Sequence, residues 1–307
     1  MPRFKTKAAR DRLLRRVRRQ RLKSITILPS LITILNGVCG FAAIVFAGKG
    51  AFVTAAYMLL LAMIADMLDG RVARMSRTTS SFGGQLDSLC DIISFGVAPA
   101  FLMLKLLEFE VITLAQPTLA VAFLRRFVWL AAATYISCAA IRLARFNVEN
   151  EEDESAHMSF IGLPTPAAAG VIVSLVIFHQ RTIPELSAKS TLLSVICENA
   201  IIYALPFLVL AVAVLMVSRV RYPHVVNLYI KGKKPLSHLI WLLLVIGLVL
   251  WSIHIALAVI FCGFAATGFG KWFFYRVIRG KYIPVQPPEA VDVQQAAASS
   301  AQDPINQ

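Results

Sequence analysis

Charge is what this 307-residue chain has least of: Asp, Glu, Lys and Arg together make up 16% of it, against about a quarter in soluble domains. Acidic residues are scarcer still, 17 in all. With 58% of residues hydrophobic and a mean hydropathy of +0.70, a soluble globular fold is excluded. The apolar residues fall in runs too long for a soluble core and long enough to cross a bilayer. Paired cysteines are also missing. The five cysteines (Cys39, Cys90, Cys138, Cys197, Cys262) are scattered, mostly within apolar runs, with no C-x-x-C among them. That excludes a thiolate metal site and a disulfide framework, and reads them as small buried hydrophobes. No internal repeat and no soluble domain are visible. No small-residue cleavage site follows the first apolar stretch, so a cleavable signal peptide is not expected.

What is present is a set of apolar runs with an uneven distribution of positive charge. The runs predict an all-α polytopic membrane bundle of about eight spans, near 27–47, 51–70, 88–107, 118–141, 165–180, 198–217, 237–252 and 255–274. Six spans is the alternative count, the last two runs being the least distinct. Pro164-Thr165-Pro166 is a helix-entry signal for the fifth. Net charge is +14, and residues 1–26 alone hold eleven Lys or Arg. A basic segment directly before a transmembrane helix holds that helix end in the cytoplasm beside anionic lipid, so nucleic acid is not the expected partner. With the N-terminus inside, the cytoplasmic segments collect 25 of the 31 basic residues. That asymmetry favours N-in, C-in and an even number of spans. The acidic run Glu149 to Glu154 reads as part of a solvated cytoplasmic loop. The expected organisation is a basic juxtamembrane segment (1–26), a membrane core (27–217), C-terminal membrane helices (218–283) and a disordered tail (284–307) rich in Pro, Gln, Ala and Ser.

Chemistry concentrates in residues 64–96, IADMLDGRVARMSRTTSSFGGQLDSLCDIISFG. Asp66 and Asp69 are spaced i, i+3 and share a helix face; Asp87 and Asp91, spaced i, i+4, share another. Gly83 lies one turn before Asp87 on that same face. Carboxylates at membrane depth cost several kcal/mol each unless paired, metal-bound or wet. Two such helices packed together aim four carboxylates at one pocket, which calls for hard divalent cations such as Mg2+ or Mn2+. Two ions a few ångströms apart clamp the attacking and leaving oxygens of a phosphoryl transfer. Gly70 and Ala73 leave room for a ligand to approach, and Arg74 offers a planar donor fork suited to phosphate. Together they describe a diphosphate site with metals.

The order Asp66-x2-Asp69-Gly70-x2-Ala73-Arg74-x8-Gly83-x3-Asp87-x3-Asp91 resembles, at each fixed position, the signature of the CDP-alcohol phosphotransferase family. Further segments resemble its phosphatidylserine synthase branch: Ile27-Leu28-Pro29-Ser30 to Asn36-Gly37, Ser94-Phe95-Gly96-Val97-Ala98-Pro99-Ala100, Arg142-Leu143-Ala144-Arg145-Phe146-Asn147 and Gly162-Leu163-Pro164-Thr165-Pro166-Ala167-Ala168. The resemblance covers about 25–175 well and the later helices by hydropathy alone. It implies that Asp66, Asp69, Asp87 and Asp91 bind two divalent ions, Mg2+ or Mn2+, with Asp91 also the general base. It implies that Gly70, Ala73 and Gly83 let a cytidine nucleotide lie close to the helices and that Arg74 contacts the diphosphate. The substrates it implies are CDP-diacylglycerol and L-serine, giving phosphatidylserine and CMP in phospholipid synthesis. A homodimer in a bacterial inner membrane, its site facing the cytoplasm, completes that expectation.

The acceptor pocket is less defined by the sequence. Arg142 and Arg145, i, i+3 at the end of the fourth span, can bind an amino-acid carboxylate or serve as anchors at the membrane surface. Asn36, polar within the first span, can complete the pocket or join helices. Choline, glycerol 3-phosphate or inositol phosphate are alternative acceptors for the same chemistry. A small-solute transporter using intramembrane aspartates is the alternative of another class; it predicts polar breaks spread over two related halves, whereas here the acidic residues gather in one stretch.

Overall fold

A computed structural model describes residues 30–76, 81–112, 118–152, 160–182, 191–218, 220–222 and 252–273. By compactness the chain divides into Met1–Phe269 and Gly270–Gln307; of the second unit only the end of the last helix is described. The described elements are helical apart from one two-residue strand pair. They run α1 Ser30–Gly48, α2 Phe52–Ser76, α3 Ser81–Asp91, a π-helical turn Ile92–Val97, α4 Ala98–Leu107, a second π turn Glu108–Ile112, and α5 Leu119–Glu152. Strand β1 (Phe160–Ile161) then precedes α6 Thr165–Ile177, a third π turn Phe178–Thr182, α7 Thr191–Val217, β2 (Arg221–Tyr222) and α8 Ile253–Phe273. Antiparallel pairing joins Phe160 to Tyr222 and Ile161 to Arg221.

Five stretches among the described residues are long and apolar enough to cross a membrane: Ser30–Gly48, Phe52–Val72, Phe82–Val111, Leu119–Val148 and Ala200–Val217. The expected span at 165–180 is a helix, but one enclosed by its neighbours: Ala168 to Val173 are all buried. The expected eighth span corresponds to α8, whose apolar part is the shorter stretch Ile253–Gly268. The expected seventh, 237–252, lies almost wholly outside the described residues, as do the basic segment 1–26 and the tail 284–307.

Two expected boundaries shift. The third span is one continuous helical rod, because wide π turns carry the chain between α3 and α4 without a break. Helix α5 runs on to Glu152, so the first residues of the acidic run close a helix instead of forming a loop. Glu is a good helix former, and no Gly or Pro interrupts the chain from Leu119 to that point.

Large apolar side chains such as Leu35, Phe41, Ile64, Phe123, Trp129 and Leu130 point outward, as helices facing lipid require. The interior is built on small residues, among them Ala43, Ala47, Ala55, Ala98, Ala131, Ala139 and Ala168, which let helix backbones approach where no hydrophobic effect drives them together. Between α1 and α2 the chain turns through Gly50, at φ +77°. Its N–H donates to the Ala47 carbonyl at 3.1 Å, and that of Ala51 to Phe46 at 2.9 Å. These bonds satisfy the last carbonyls of α1 in the pattern of a left-handed helix cap.

A second turn matters more for the site. Gly162, at φ +84°, leads from β1 into α6; its N–H donates to the Val220 carbonyl at 2.8 Å, and the Leu163 N–H to Leu215 at 3.1 Å. A Cβ there would stand 3.2 Å from the Ser218 oxygen, in a backbone conformation side chains rarely adopt. These bonds pin the start of α6 to the end of α7, beside the end of α5.

Candidate active site

Helix α2 carries Asp66 and Asp69 near its C-terminal end, and α3 carries Asp87 and Asp91. Packing brings one carboxylate oxygen each from Asp66, Asp69 and Asp87 to within 4.8 Å of one another. Asp69 is buried, and Asp66 and Asp87 are half-buried. At that separation each pair of ionised carboxylates repels by roughly 3 kcal/mol at an effective dielectric near 20. Asp69 Oδ2 and Asp87 Oδ1 are buried with no hydrogen-bond partner. Three carboxylates held this close, with two buried oxygens lacking hydrogen-bond partners, form a hard-cation ligand set, so the residues fit a divalent ion.

Asp91 stands one turn beyond Asp87, buried at the junction of α3 with the first π turn. Its Oδ1 accepts a hydrogen bond of 2.9 Å from Nδ2 of Asn36, which is fully buried in α1. Helix α1 reaches this close because Gly37 and Gly40 have no side chains. A Cβ on Gly37 would lie 3.0 Å from Cys90 Sγ, and one on Gly40 2.7 Å from the Ser94 Cα. Ser94 Oγ donates to the Asn36 carbonyl at 2.9 Å. Across the π turn, Tyr135 Oη donates to the Phe95 carbonyl at 2.9 Å. A π turn displaces its own backbone bonds; Tyr135 gives the Phe95 carbonyl a partner, while Ser94 ties the turn to the α1 backbone. Thr33, also on α1, donates its hydroxyl to Asp69.

Arg142 and Arg145 diverge. Arg142 is buried; its Nη1 donates to Thr165 Oγ1 at 2.7 Å, and it is an electrostatic neighbour of Asp66. Arg145 turns to the end of α7, where Nη2 donates to the Val217 carbonyl at 3.2 Å. A cation on the last carbonyls of a helix braces that helix end. Ser88 and Asn147 exchange hydrogen bonds of 3.1 and 2.9 Å, tying α3 to α5 beside the carboxylates.

The remaining expected residues are placed by backbone. Gly70 is exposed on α2, and a Cβ built on it would meet nothing within 4 Å. Gly83 is half-buried in the first turn of α3. Ala73 and Arg74 extend α2 one turn beyond Gly70; their side chains lie outside the described residues.

Sequence reasoning missed Thr33, Ser94, Tyr135 and the Ser88–Asn147 pair. A lone hydroxyl in an apolar helix carries no spacing signal of its own. Thr33, Ser88, Ser94 and Asn147 lie inside segments already singled out, so their place in those motifs could have raised them; Tyr135 lies outside all of them.

Residues 26–217 match the family model of CDP-alcohol phosphatidyltransferase. The chain belongs to that family. The matched segment takes in the four aspartates and every contact described around them. Within the CDP-alcohol phosphatidyltransferases, the chain is 33% identical over 257 residues to the CDP-diacylglycerol–serine O-phosphatidyltransferase of Helicobacter pylori, covering 83% of this chain and 95% of that one. It is 33% identical over 209 residues to the archaetidylserine synthase of Methanothermobacter thermautotrophicus, covering 67% of this chain and 73% of that one. A CDP-diacylglycerol–serine O-phosphatidyltransferase of Mycobacterium tuberculosis is 32% identical over 163 residues, about half of each chain.

Proposed function

We propose that the protein transfers the phosphatidyl group of CDP-diacylglycerol to L-serine, releasing CMP and forming phosphatidylserine. The observation that carries the chemistry is the convergence of Asp66, Asp69 and Asp87 with two buried carboxylate oxygens unpartnered. Serine as acceptor is supported by relatives named for serine, one of them matched over 95% of its length.

Asp66, Asp69 and Asp87 would hold two divalent ions, Mg2+ or Mn2+, beside Asp91, which serves as the base. Once bound, these supply charge neutralisation on the diphosphate. Gly70, Ala73 and Gly83 leave the helix surfaces bare where the cytidine nucleotide lies, and Arg74 pairs with the diphosphate. Asp91 takes the proton of the serine hydroxyl. That oxygen attacks the phosphorus carrying diacylglycerol; the new P–O bond forms as the bond to the bridging oxygen of CMP breaks, and CMP leaves with that oxygen. A carboxylate is a weak base towards an alcohol, so much of the rate comes from holding the hydroxyl in line and from matched charge. Of the two arginines, Arg142 is buried and an electrostatic neighbour of Asp66, and it takes the serine carboxylate; Arg145 braces α7.

The positive charge at the ends of the helices supports an N-in, C-in topology with an even number of spans and the site at the cytoplasmic face; the short loops and basic N-terminus fit a bacterial inner membrane. Likeness to the family supports a homodimer.

The test is CMP release by the purified protein in detergent with CDP-diacylglycerol and Mn2+ or Mg2+. Serine, choline, glycerol 3-phosphate and inositol phosphate are supplied in parallel. Release with serine, abolished by chelation and in Asp91→Asn, is the expected result. Release with another acceptor alone overturns serine and keeps the chemistry. No release with any acceptor, from folded protein, overturns the catalytic reading.

A further inference from the structure

We infer that Asn36 is the positioning residue for Asp91: its amide fixes the carboxylate so that one oxygen is spent on α1 and the other faces the acceptor hydroxyl. The inference rests on the phosphatidyl-transfer reading above and gives Asn36 a place other than the acceptor pocket expected of it from sequence.

Three contacts hold the arrangement. The Asn36 Nδ2 donor lies 2.9 Å from Asp91 Oδ1. The Asn36 carbonyl accepts from Ser94 Oγ at 2.9 Å, on the next turn of the same rod. Gly37 and Gly40 seat α1 against Cys90 and Ser94, so closely that an added Cβ on Gly40 would fall 2.7 Å from a backbone atom. Asn36 is thus gripped on both sides of its side chain, by its own backbone and by the following turn. A carboxylate only accepts, so the amide must present its N–H2 to Asp91 and turn its oxygen away. That oxygen, Oδ1, is buried and has no partner. A buried amide paired at one end is a poor device for stability, and its single side-chain bond goes to Asp91. With Oδ1 of Asp91 holding the Asn36 hydrogen, Oδ2 is the oxygen left to take the hydroxyl proton. The π turn beginning at Ile92 widens the helix directly after Asp91, and the Asn36, Ser94 and Tyr135 bonds keep that widened segment in one place.

The experiment measures steady-state CMP release over both substrate concentrations for wild type, Asn36→Ala and Asn36→Leu. The Leu variant keeps the branching at Cγ, is bulkier and lacks the donor, while the Ala variant lacks the donor without added bulk. Thermal stabilisation by CDP-diacylglycerol with Mn2+ is read on the same samples. In both variants kcat is expected to fall about 10- to 100-fold, both KM values to stay within about threefold, and the stabilisation to persist. In an Asp91→Glu background, where the longer side chain moves the carboxylate off the amide, Asn36→Leu is expected to cost less than about threefold. An unchanged kcat overturns the proposal. So does a raised KM for serine at constant kcat, which would make Asn36 an acceptor contact. Loss of ligand stabilisation in both variants, or an undiminished cost in the Asp91→Glu background, overturns it too. Wild-type release with a different acceptor sinks only the serine assignment, and Asn36 is then measured with that acceptor; a wild type that releases no CMP sinks both.

Discussion

Gly40→Ala should slow the reaction although residue 40 touches neither substrate nor carboxylate. A Cβ at that position would stand 2.7 Å from the Ser94 Cα, a backbone atom with no side-chain freedom to give way. Ordinary contact begins at 3.4 Å, so α1 must withdraw by about 0.7 Å or more. Asn36 is one turn away on the same face and moves with it. Its bond to Asp91, 2.9 Å at rest, stretches to about 3.6 Å, where a side-chain hydrogen bond no longer exists. Misplacing a catalytic group by this much costs up to about 100-fold in rate, or nearly 3 kcal/mol of barrier. Overpacking costs a further 1–3 kcal/mol or so of stability. Gly48→Ala is the matched control in the same helix: its Cβ would meet only Phe101 Cε1, at 4.0 Å, and stability should change by less than about 0.5 kcal/mol. The assay is serine-dependent CMP release with melting temperature measured on the same preparation. A Gly40→Ala enzyme with wild-type kcat would refute the reasoning, because α1 would then not set the place of Asp91.

Other outcomes follow from the same geometry. Asp87→Asn removes one of three converging charges, so the ion-free protein should become more stable, by the order of 1–3 kcal/mol, while Mn2+ binding and CMP release fall at least about 100-fold; calorimetry and the release assay read both. Gly70→Ala should raise stability by about 0.5–1 kcal/mol, since Ala is the better helix former and nothing lies within 4 Å of the new Cβ, yet raise KM for CDP-diacylglycerol by roughly tenfold if the nucleotide lies against that face. Gly162→Ala should destabilise by about 1–3 kcal/mol, because φ is +84° and the Cβ would press on the end of α7; the melting temperature checks it.

The helical membrane class and the convergence of Asp66, Asp69 and Asp87 were legible in the sequence because each rests on a local period. Apolar run length marks a span, and i, i+3 and i, i+4 spacing puts carboxylates on one helix face. The reach of Asp69 towards Thr33 and of Asp91 towards Asn36 was not legible, because it depends on how closely α1 docks. Gly37 and Gly40 permit that docking but do not announce it. The side chains of Arg142 and Arg145 share a face by spacing, yet one turns to Thr165 and the other to Val217, a choice made by where α6 and α7 sit. The π turns were hidden for the same reason: the wide turn after Asp91 is held by Ser94 and Tyr135 across helices, and the local sequence reads as an uninterrupted apolar helix. The acidic end of α5 is helical although its charge predicts a solvated loop, because Glu is a good helix former.

The most direct measurement follows isotopically labelled L-serine into lipid in the presence of CDP-diacylglycerol and Mn2+, with wild type and Asp91→Asn side by side. Label recovered as phosphatidylserine in step with CMP, and absent from the Asp91→Asn reaction and after chelation, is the predicted result. Label remaining in the aqueous phase with folded wild-type protein, or lipid labelled equally by Asp91→Asn, would contradict the account.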